Sequence, residues 1–557
     1  MTVGEKLYLC RLFKLLSLTI ISLLLALTPA DTLPTMVDIP GTHIRMSATE
    51  VTNAQYEAFW PSMKRTFSTG DNDAVTMVSW YDAMEYCQWL SQVTGCRYRL
   101  PTEEEWELAC RAGTTTAYNT GDTFPESQWK AQRNNRVKDT VSLQVAQFAP
   151  NAWGLYDMHG NVEEWCLDPW DASADFRVTR GGSHNTEVRY LRSDIRSAAI
   201  PMDRSVLRGF RVVEEIVPEM PQEPFFAEPQ PYIIPPIDTL TPFYSHNHQP
   251  AVTYTTNGDL LAIWFSTEAE AGREMVVLQS RYHDGKWSPA TLFYKVPERN
   301  MTGSALLTLP NGTMLHFNGV GDAGEWRDLA LCTRQSLDGG LSWSHSFLAE
   351  PSHDVRHQVI AGPIVTSKGD ILLCCDAGPG GEDGTALHHC FSHDGIYIAD
   401  LKGTIAGIHA SVVELRDGSL MALGRGNAID GRMPCSRSLG LGKEWTYSAS
   451  PFPPIGSGQR LVFRRLQEGP LMLCSFGEQG LFVALSYDEG ETWPVRKLLT
   501  DGKTRTLDGG AWTGTFTLDA DHAEPAGYLA CTQTPDGIIH LLSSRVHYRF
   551  NLKWVEQ

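Results

Sequence analysis

The stretches SLDGGLSW, Ser336 to Trp343, and SYDEGETW, Ser486 to Trp493, share the frame Ser-x-Asp-x-Gly-x-x-Trp. This frame decides the architecture of the second half of the chain. In such a turn the Asp caps backbone N–H groups, the Gly takes a positive φ and the Trp packs beneath, so the motif pins structure and carries no chemistry. Ser438 to Trp445 keeps the frame with the Asp lost, and Ser392-His-Asp394-Gly and His283-Asp284-Gly-Lys-Trp287 are degenerate copies. A second signal runs in step with it: a turn glycine followed by an apolar run, in NGDLLAIW, NGTMLHF, KGDILLCC, DGSLMALGR, EGPLMLCSF and DGIIHLLSS. The glycines are Gly258, Gly312, Gly369, Gly418, Gly469 and Gly537, at steps of 54, 57, 49, 51 and 68 residues. That period is the size of a propeller blade, and six repeats predict an all-β six-bladed propeller over residues 243–557.

Moving towards the N-terminus, residues 215–242 are crowded with prolines, which excludes a helix or a central strand and reads as a semi-rigid linker. A smaller module precedes it. Two or three domains suit 557 residues, and the composition, 42% hydrophobic and 20% charged, is that of a folded globular protein. A formal net charge of -19 argues against a nucleic-acid or anionic-membrane partner, both of which need a basic face. It leaves room for an anionic sugar, because a few arginines make one pocket locally positive.

Residues 1–30 have the pattern of an export signal: Lys6, Arg11 and Lys14 before the uncharged run Leu15 to Leu27, then Thr28-Pro29-Ala30. That run is too short to span a bilayer comfortably, and no later stretch reads as transmembrane, so the expected location is periplasmic or extracellular. With Cys10 removed, eleven cysteines remain, an odd number without a disulfide or zinc spacing. Cys374-Cys375 reads as core filler.

The first module, residues 38–214, resembles the sulfatase-modifying-factor (formylglycine-generating) family. The resemblance rests on Glu50-Val-Thr-Asn53, MVSWYDAMEYCQWL from Met77, RYRLPTEEEWELACRAGT from Arg97, NAWGLYDMHGNVEEW from Asn151, RGGSH from Arg180, LRSDIR from Leu191 and RGFRVV from Arg208. It implies an irregular α/β, C-type-lectin-like fold. Tyr81 to Leu90 and Thr102 to Ala112 carry helical periodicity, the latter with a Thr102/Glu105 capping box. The family's copper-binding cysteines would fall at Thr186 and Leu191, neither a soft ligand, so formylglycine generation is not expected. Asn161 and Glu164 resemble a family calcium site of oxygen donors; the alternative is that they fix a turn above Trp165. No other cofactor is implied. Arg189, Arg192, Arg196, Arg204 and Arg208 lie where the family's substrate groove would be, and read as a solvated basic face.

Residues 243–557 resemble the sialidase superfamily in its BNR-repeat (Asp-box) branch. That resemblance implies three arginines on a substrate carboxylate, an acid/base Asp, and a Tyr nucleophile activated by a Glu, an exception to the paired-carboxylate rule of glycosidases. On this sequence Tyr528 fits the nucleophile and Arg425 one arginine; His409 stands where the Glu would be. His248-Gln-Pro250 replaces the first arginine, and no third arginine occurs near Phe476 to Leu481. The loop that should hold the acid offers Glu268, Glu270, Arg273 and Glu274, but no Asp. The candidate catalytic set is therefore Tyr528, His409, Arg425, His248 and His246, with Arg273, Arg460 and Arg545 as candidate substrate-binding residues. His388-His389, His353 and His357 read as solvated loop residues. Three functions stay open: a sialidase-like exo-glycosidase on an acidic glycan, a uronate polysaccharide lyase using the His/Tyr/Arg set, and a non-catalytic glycan binder.

Overall fold

A computed structural model of the chain describes residues 33–557, except 66, 95, 129–141, 172–174, 217–221, 256, 310–311, 322–328, 352, 354–356, 368–369, 377–383, 393–395, 441 and 509–514. The expected export segment with Cys10, and the turn residues Gly369 and Asp394, lie outside the described residues. The chain divides after Val217 into two compact units.

The described residues of the first unit include two four-stranded sheets and several helices. In one sheet Ile44–Ser47 pairs with Val213–Glu215, so both ends of the unit meet in it, flanked by Met36–Asp38 and Arg97–Arg99. The other runs Ser197–Ala199, Arg177–Arg180, Glu163–Pro169, Arg208–Gly209. The longest of these helices are Asn53–Phe59, Trp80–Thr94 and Glu103–Arg111. Thr102 starts the last of these with both halves of the capping box: its Oγ1 accepts Glu105 N–H at 3.2 Å, and Glu105 Oε2 accepts Thr102 N–H at 2.8 Å. Trp106 on this helix is fully buried among Ile39, Met46, Leu155 and Met158.

Beside two two-stranded pairings, Gln459–Arg460 with Gly527–Tyr528 and Arg505–Asp508 with Thr515–Leu518, the described residues of the second unit form six antiparallel sheets of four or five strands, built mainly from consecutive strands. Their first strands are His246–Tyr254, Ser304–Thr308, Gln358–Val359 with Ile364–Val365, Ile408–Glu414, Val462–Arg465 and Ala530–Gln533. The first strands of sheets one and two lie side by side, as do those of four and five and those of six and one. The sixth sheet is completed from the other end of the unit: Phe226–Pro231 pairs with Val546–Phe550. The proline-rich stretch is thus not linker throughout. Pro229 and Pro231 are accommodated because this strand lies at the sheet's edge, where a missing N–H costs no ladder bond. Phe226 stacks on Trp554 at 4.3 Å, Tyr232 is buried with its hydroxyl on Ser543 O, and Asn551 holds both Phe225 N–H and Glu223 O.

The repeated turns behave as their residues require. Asp338 is buried; its Oδ1 accepts Ser342 N–H at 2.9 Å and Ser336 Oγ at 2.6 Å, while Gly340 has φ 79°. Asp488 binds Thr492 the same way, through N–H at 2.8 Å and Oγ1 at 2.6 Å. Trp343 packs edge-on to Phe293 and Trp493 to Phe452. Gly258, Gly312, Gly418, Gly469 and Gly537 all have positive φ. Cys374 and Cys375 are buried in the strand Ile371–Asp376, and no disulfide joins two described cysteines. No helix among the described residues is long and apolar enough to cross a membrane. Asp338→Ala should destabilise the second unit by about 1–3 kcal/mol, the cost of orphaning buried donors, with Asp338→Asn recovering part of it; chemical denaturation of the two variants checks this.

Candidate active site

Two backbone irregularities shape the site. The first strand of sheet four breaks register between Ile408 and Ser411, and there His409 adopts φ 51°, left-handed for a residue with a Cβ. The first strand of sheet one breaks register at the equivalent place, between His248 and Ala251, with Gln249 at φ 54°. Bulges of this kind re-aim side chains, at a conformational cost of about 1–3 kcal/mol that the surrounding packing must offset. Gly407 permits the one at His409: its φ is 83°, and a Cβ there would lie 2.6 Å from the Arg425 carbonyl oxygen.

The bulge brings His409 between two partners. Its Nδ1 lies 2.6 Å from Asp376 Oδ2, and its backbone N–H donates to Asp376 Oδ1 at 2.7 Å. The carboxylate beside Nδ1 favours the Nδ1–H tautomer, in which Nε2, 3.0 Å from Tyr528 Oη, is an acceptor. Arg425 Nη1 donates to the same phenol oxygen at 3.0 Å. Asp376, His409 and Tyr528 are each less than one-tenth exposed. Thr385 Oγ1 supports the carboxylate, 3.3 Å from Asp376 Oδ1 and 2.9 Å from Gly407 O. Burial pushes the Tyr528 phenol up, and the guanidinium of Arg425 draws it back. Burial holds His409 below an ordinary histidine, while Asp376 works the other way.

His248 closes another side, its ring centre 4.2 Å from that of Tyr528; burial first, then the charge of neighbouring His246 and Arg460, holds it well below an ordinary histidine. Ser544 Oγ accepts Tyr528 N–H at 2.9 Å and lies 3.5 Å from His248 Nδ1. His246 is half-buried, and its Nε2 is 3.5 Å from Glu270 Oε1 on the loop beyond the second strand of sheet one. Of that loop's carboxylates, Glu274 is turned back onto Thr267 Oγ1 and Glu268 N–H, and Glu270 alone is placed towards the cluster, with Asn300 Nδ2 holding its carbonyl at 2.6 Å.

The expected substrate arginines are placed differently. Arg460 is fully buried beneath Tyr528, 5.2 Å from the ring centre; its Nε donates to Leu529 O and its Nη2 to Pro250 O. It is fixed by main-chain carbonyls and cannot swing onto a substrate carboxylate. Arg545 is buried beside Glu524, a carboxyl that burial pushes up to about 7. Arg273 stands exposed on its loop, with no ion pair among the described residues. His357 is not a solvated loop residue but buried on Leu329 O; His388 and His389 lie in the strand Thr385–Ser392.

Asp376 and Ser544 escaped the sequence reading, yet a signal existed. Each lies seven residues beyond its sheet's turn glycine, Gly369 or Gly537, as Arg425 lies beyond Gly418. Phe265, packed on His246 and His248, stands seven beyond Gly258.

In the first unit, Thr186 and Leu191 face one another: a Cβ on Gly182 would meet Leu191 Cδ2 at 2.7 Å and Thr186 Cγ2 at 3.1 Å. The space a thiolate pair would occupy is filled by a methyl and an isobutyl group, so copper does not fit. Nor do Asn161 and Glu164 fit calcium as a pair. Both Glu164 oxygens are held by buried Arg211, at 2.6 and 2.8 Å, and Oε2 also takes Trp106 Nε1 at 2.7 Å, so a cation there would face a guanidinium. Asn161 turns its amide nitrogen to Glu50 Oε1 at 3.0 Å. Burial and then the nearby Asp157 push Glu50 well above the usual carboxylate range, which favours its protonated form. Four of the five surface arginines are paired: Arg192 with Asp194, Arg196 with Glu103, Arg204 with Asp82 and Arg208 with Glu163; Arg189 lies over the Tyr190 ring.

Turn motif, sheet repeat and site together define a mostly β, multidomain protein. The chain belongs to the BNR repeat-like domain family, which matches residues 258–541. Residues 35–216 match the sulfatase-modifying factor enzyme 1-like domain. Over 172 residues the chain is 34% identical to the formylglycine-generating enzyme of Thermomonospora curvata, covering 25% of this chain and 55% of the relative. It is 40% identical over 119 residues to the inactive C-alpha-formylglycine-generating enzyme 2 of Bos taurus, covering 20% of this chain and 38% of that protein. The chain thus spans about half or less of the curated relatives it matches. Among solved structures, the NanB sialidase of Streptococcus pneumoniae aligns at 12% identity over 67% of this chain and 76% of its own, TM-score 0.41. PvdO of Pseudomonas aeruginosa aligns at 23% identity over 32% of this chain and 90% of its own, TM-score 0.26.

Arg425→Gln should move the Tyr528 phenol to higher pH, because it removes the cation that opposes burial. Ultraviolet difference titration against Tyr528→Phe checks this, and an unmoved transition would refute the contact.

Proposed function

We propose that the second unit is a sialidase-like six-bladed propeller that hydrolyses an acidic glycan through Tyr528. The observation that carries this reading is a phenol held between a histidine acceptor and an arginine donor, with a buried carboxylate behind the histidine. Tyr528 Oη passes its proton to His409 Nε2 and attacks the anomeric carbon; the tyrosinate is stabilised by Arg425 and lies over Arg460. As the glycosidic C–O bond breaks, the His246–Glu270 pair supplies the proton to the leaving oxygen through the imidazole, with the Glu270 carboxylate as its counter-charge, and the pair then takes one from the water that releases the sugar. The Asp376–His409 pair does here what a single Glu does in the resemblance drawn from the sequence: it removes the phenolic proton without placing a second anion against an acidic substrate.

The alternative is elimination on a uronate. It is favoured by the tie-down of Arg460 on carbonyls beneath the ring, which leaves Arg425 as the guanidinium hydrogen-bonded at the phenol oxygen, a grip suited to neutralising one carboxylate. In this reading Tyr528 and His409 share the removal of the C5 proton. A glycan-binding role without turnover is the third outcome. The first unit, with its cysteine positions filled by Thr186 and Leu191, serves as a scaffold or polymer-positioning module rather than a formylglycine generator, and the pattern of residues 1–30 supports export.

Mass analysis of products from sialosides and uronate polysaccharides separates the three: added water marks hydrolysis, unsaturated fragments mark elimination, and no product marks binding alone. Tyr528→Phe and His409→Ala should each abolish turnover with the fold intact, and Glu270→Gln should lower it 100-fold or so. Because His409 must be neutral to accept the proton, kcat/KM should fall on acidification, on a limb lying below the pH at which an ordinary histidine titrates. A limb above that pH would exclude His409 as the base.

A further inference from the structure

The second unit has a cavity away from Tyr528. It holds about 340 Å³ and is lined by the first strands of all six sheets, a few residues further along the strands that carry His248 and His409. Three charged side chains reach it: Glu414, Arg464 and Arg465. Two are spoken for. Arg465 forks onto Glu489 at 3.0 and 2.6 Å, and Glu414 takes Ser367 N–H at 2.6 Å and Ser367 Oγ at 3.0 Å. Arg464 is different. Its Nη1 donates to Cys531 O at 2.8 Å, its Nε is buried with no hydrogen-bond partner, and no carboxylate pairs with it among the described residues. Arg464 is half-buried at the cavity wall, and an anion at the open side of the cavity would meet the guanidinium without first displacing a carboxylate. The lining also carries hydroxyls: those of Thr253 and Thr308, 2.9 Å apart with Thr308 donating to Tyr254 O at 2.5 Å, and that of Ser411.

We propose that this axial cavity is a second ligand site, distinct from the Tyr528 cluster, for a small hydroxylated monoanion of sugar-acid size, with Arg464 on its carboxylate and Thr253 and Thr308 on its hydroxyls. The volume sits at the lower end of the range for small-molecule pockets and suits one monosaccharide. The cavity takes no part in the proposed reaction, so the site stands whether the unit hydrolyses, eliminates or only binds.

The test is calorimetric titration of the full-length protein with glucuronate, alongside crystals soaked in glucuronate or in iodide. The expected result is glucuronate binding that survives in Tyr528→Phe and His409→Ala but weakens at least tenfold in Arg464→Gln, with density at Arg464. Thr308→Val, a milder change, should weaken it several-fold and guards against a folding defect in Arg464→Gln, whose thermal melt is compared with the parent. Binding that vanishes in the Tyr528 variant yet is untouched by Arg464→Gln would overturn the proposal. So would iodide at Arg464 without glucuronate, an adventitious ion only, or the absence of any binding.

Discussion

Everything in the second unit depends on one antiparallel pairing, that of Phe226–Pro231 with Val546–Phe550. Six sheets that meet through their first strands leave a seam between sheets six and one, and covalent chain alone would not hold it. Adding the unit's opening segment to its last sheet ties the seam with main-chain hydrogen bonds and with the Phe226–Trp554 stack. Only then do residues as far apart as His248, Asp376, His409, Arg425 and Tyr528 come within bonding distance. The parallel pairing of Gln459–Arg460 with Gly527–Tyr528 refines this locally, since it sets the buried guanidinium under the phenol ring.

Within the cluster, burial and charge oppose one another with unequal reach. Desolvation disfavours charge on Tyr528, His409 and His248 alike, so at neutral pH these three are uncharged. The phenol is therefore an acid that one histidine can deprotonate once a partner arrives, with two guanidinium groups ready for the anion. Glu270, half in solvent, is governed instead by its contact with His246, which holds it below the usual carboxylate range.

How far this was legible from sequence differs by element. The Asp-box turns and the glycine-led apolar runs are local, and local chemistry dictates them; the sheet repeat followed from them. His409, Tyr528 and Arg425 stood out because a resemblance supplied places to look. Asp376 did not, because it ends the apolar run ILLCCD and its partner lies in the next sheet. Arg460 was read as a free cation because nothing local discloses that carbonyls of Pro250 and Leu529 would claim it. The arginines of the first unit read as a basic face for the same reason: their carboxylate partners, Glu103 for Arg196 and Asp82 for Arg204, are about a hundred residues upstream. Proline content misled about Phe226–Pro231 because composition reports what a segment cannot be in a sheet's centre and is silent about its edge.

The closing strand has a topological consequence. Asn551 bonds to Glu223 and Phe225, so the two ends of the second unit emerge at the same place, stapled by one side chain. Such a unit is circular in all but covalency. Its ends can be joined and new ones opened in any exposed loop between sheets without moving the cluster, and tension applied through its natural ends loads the edge strand of sheet six before it reaches Tyr528.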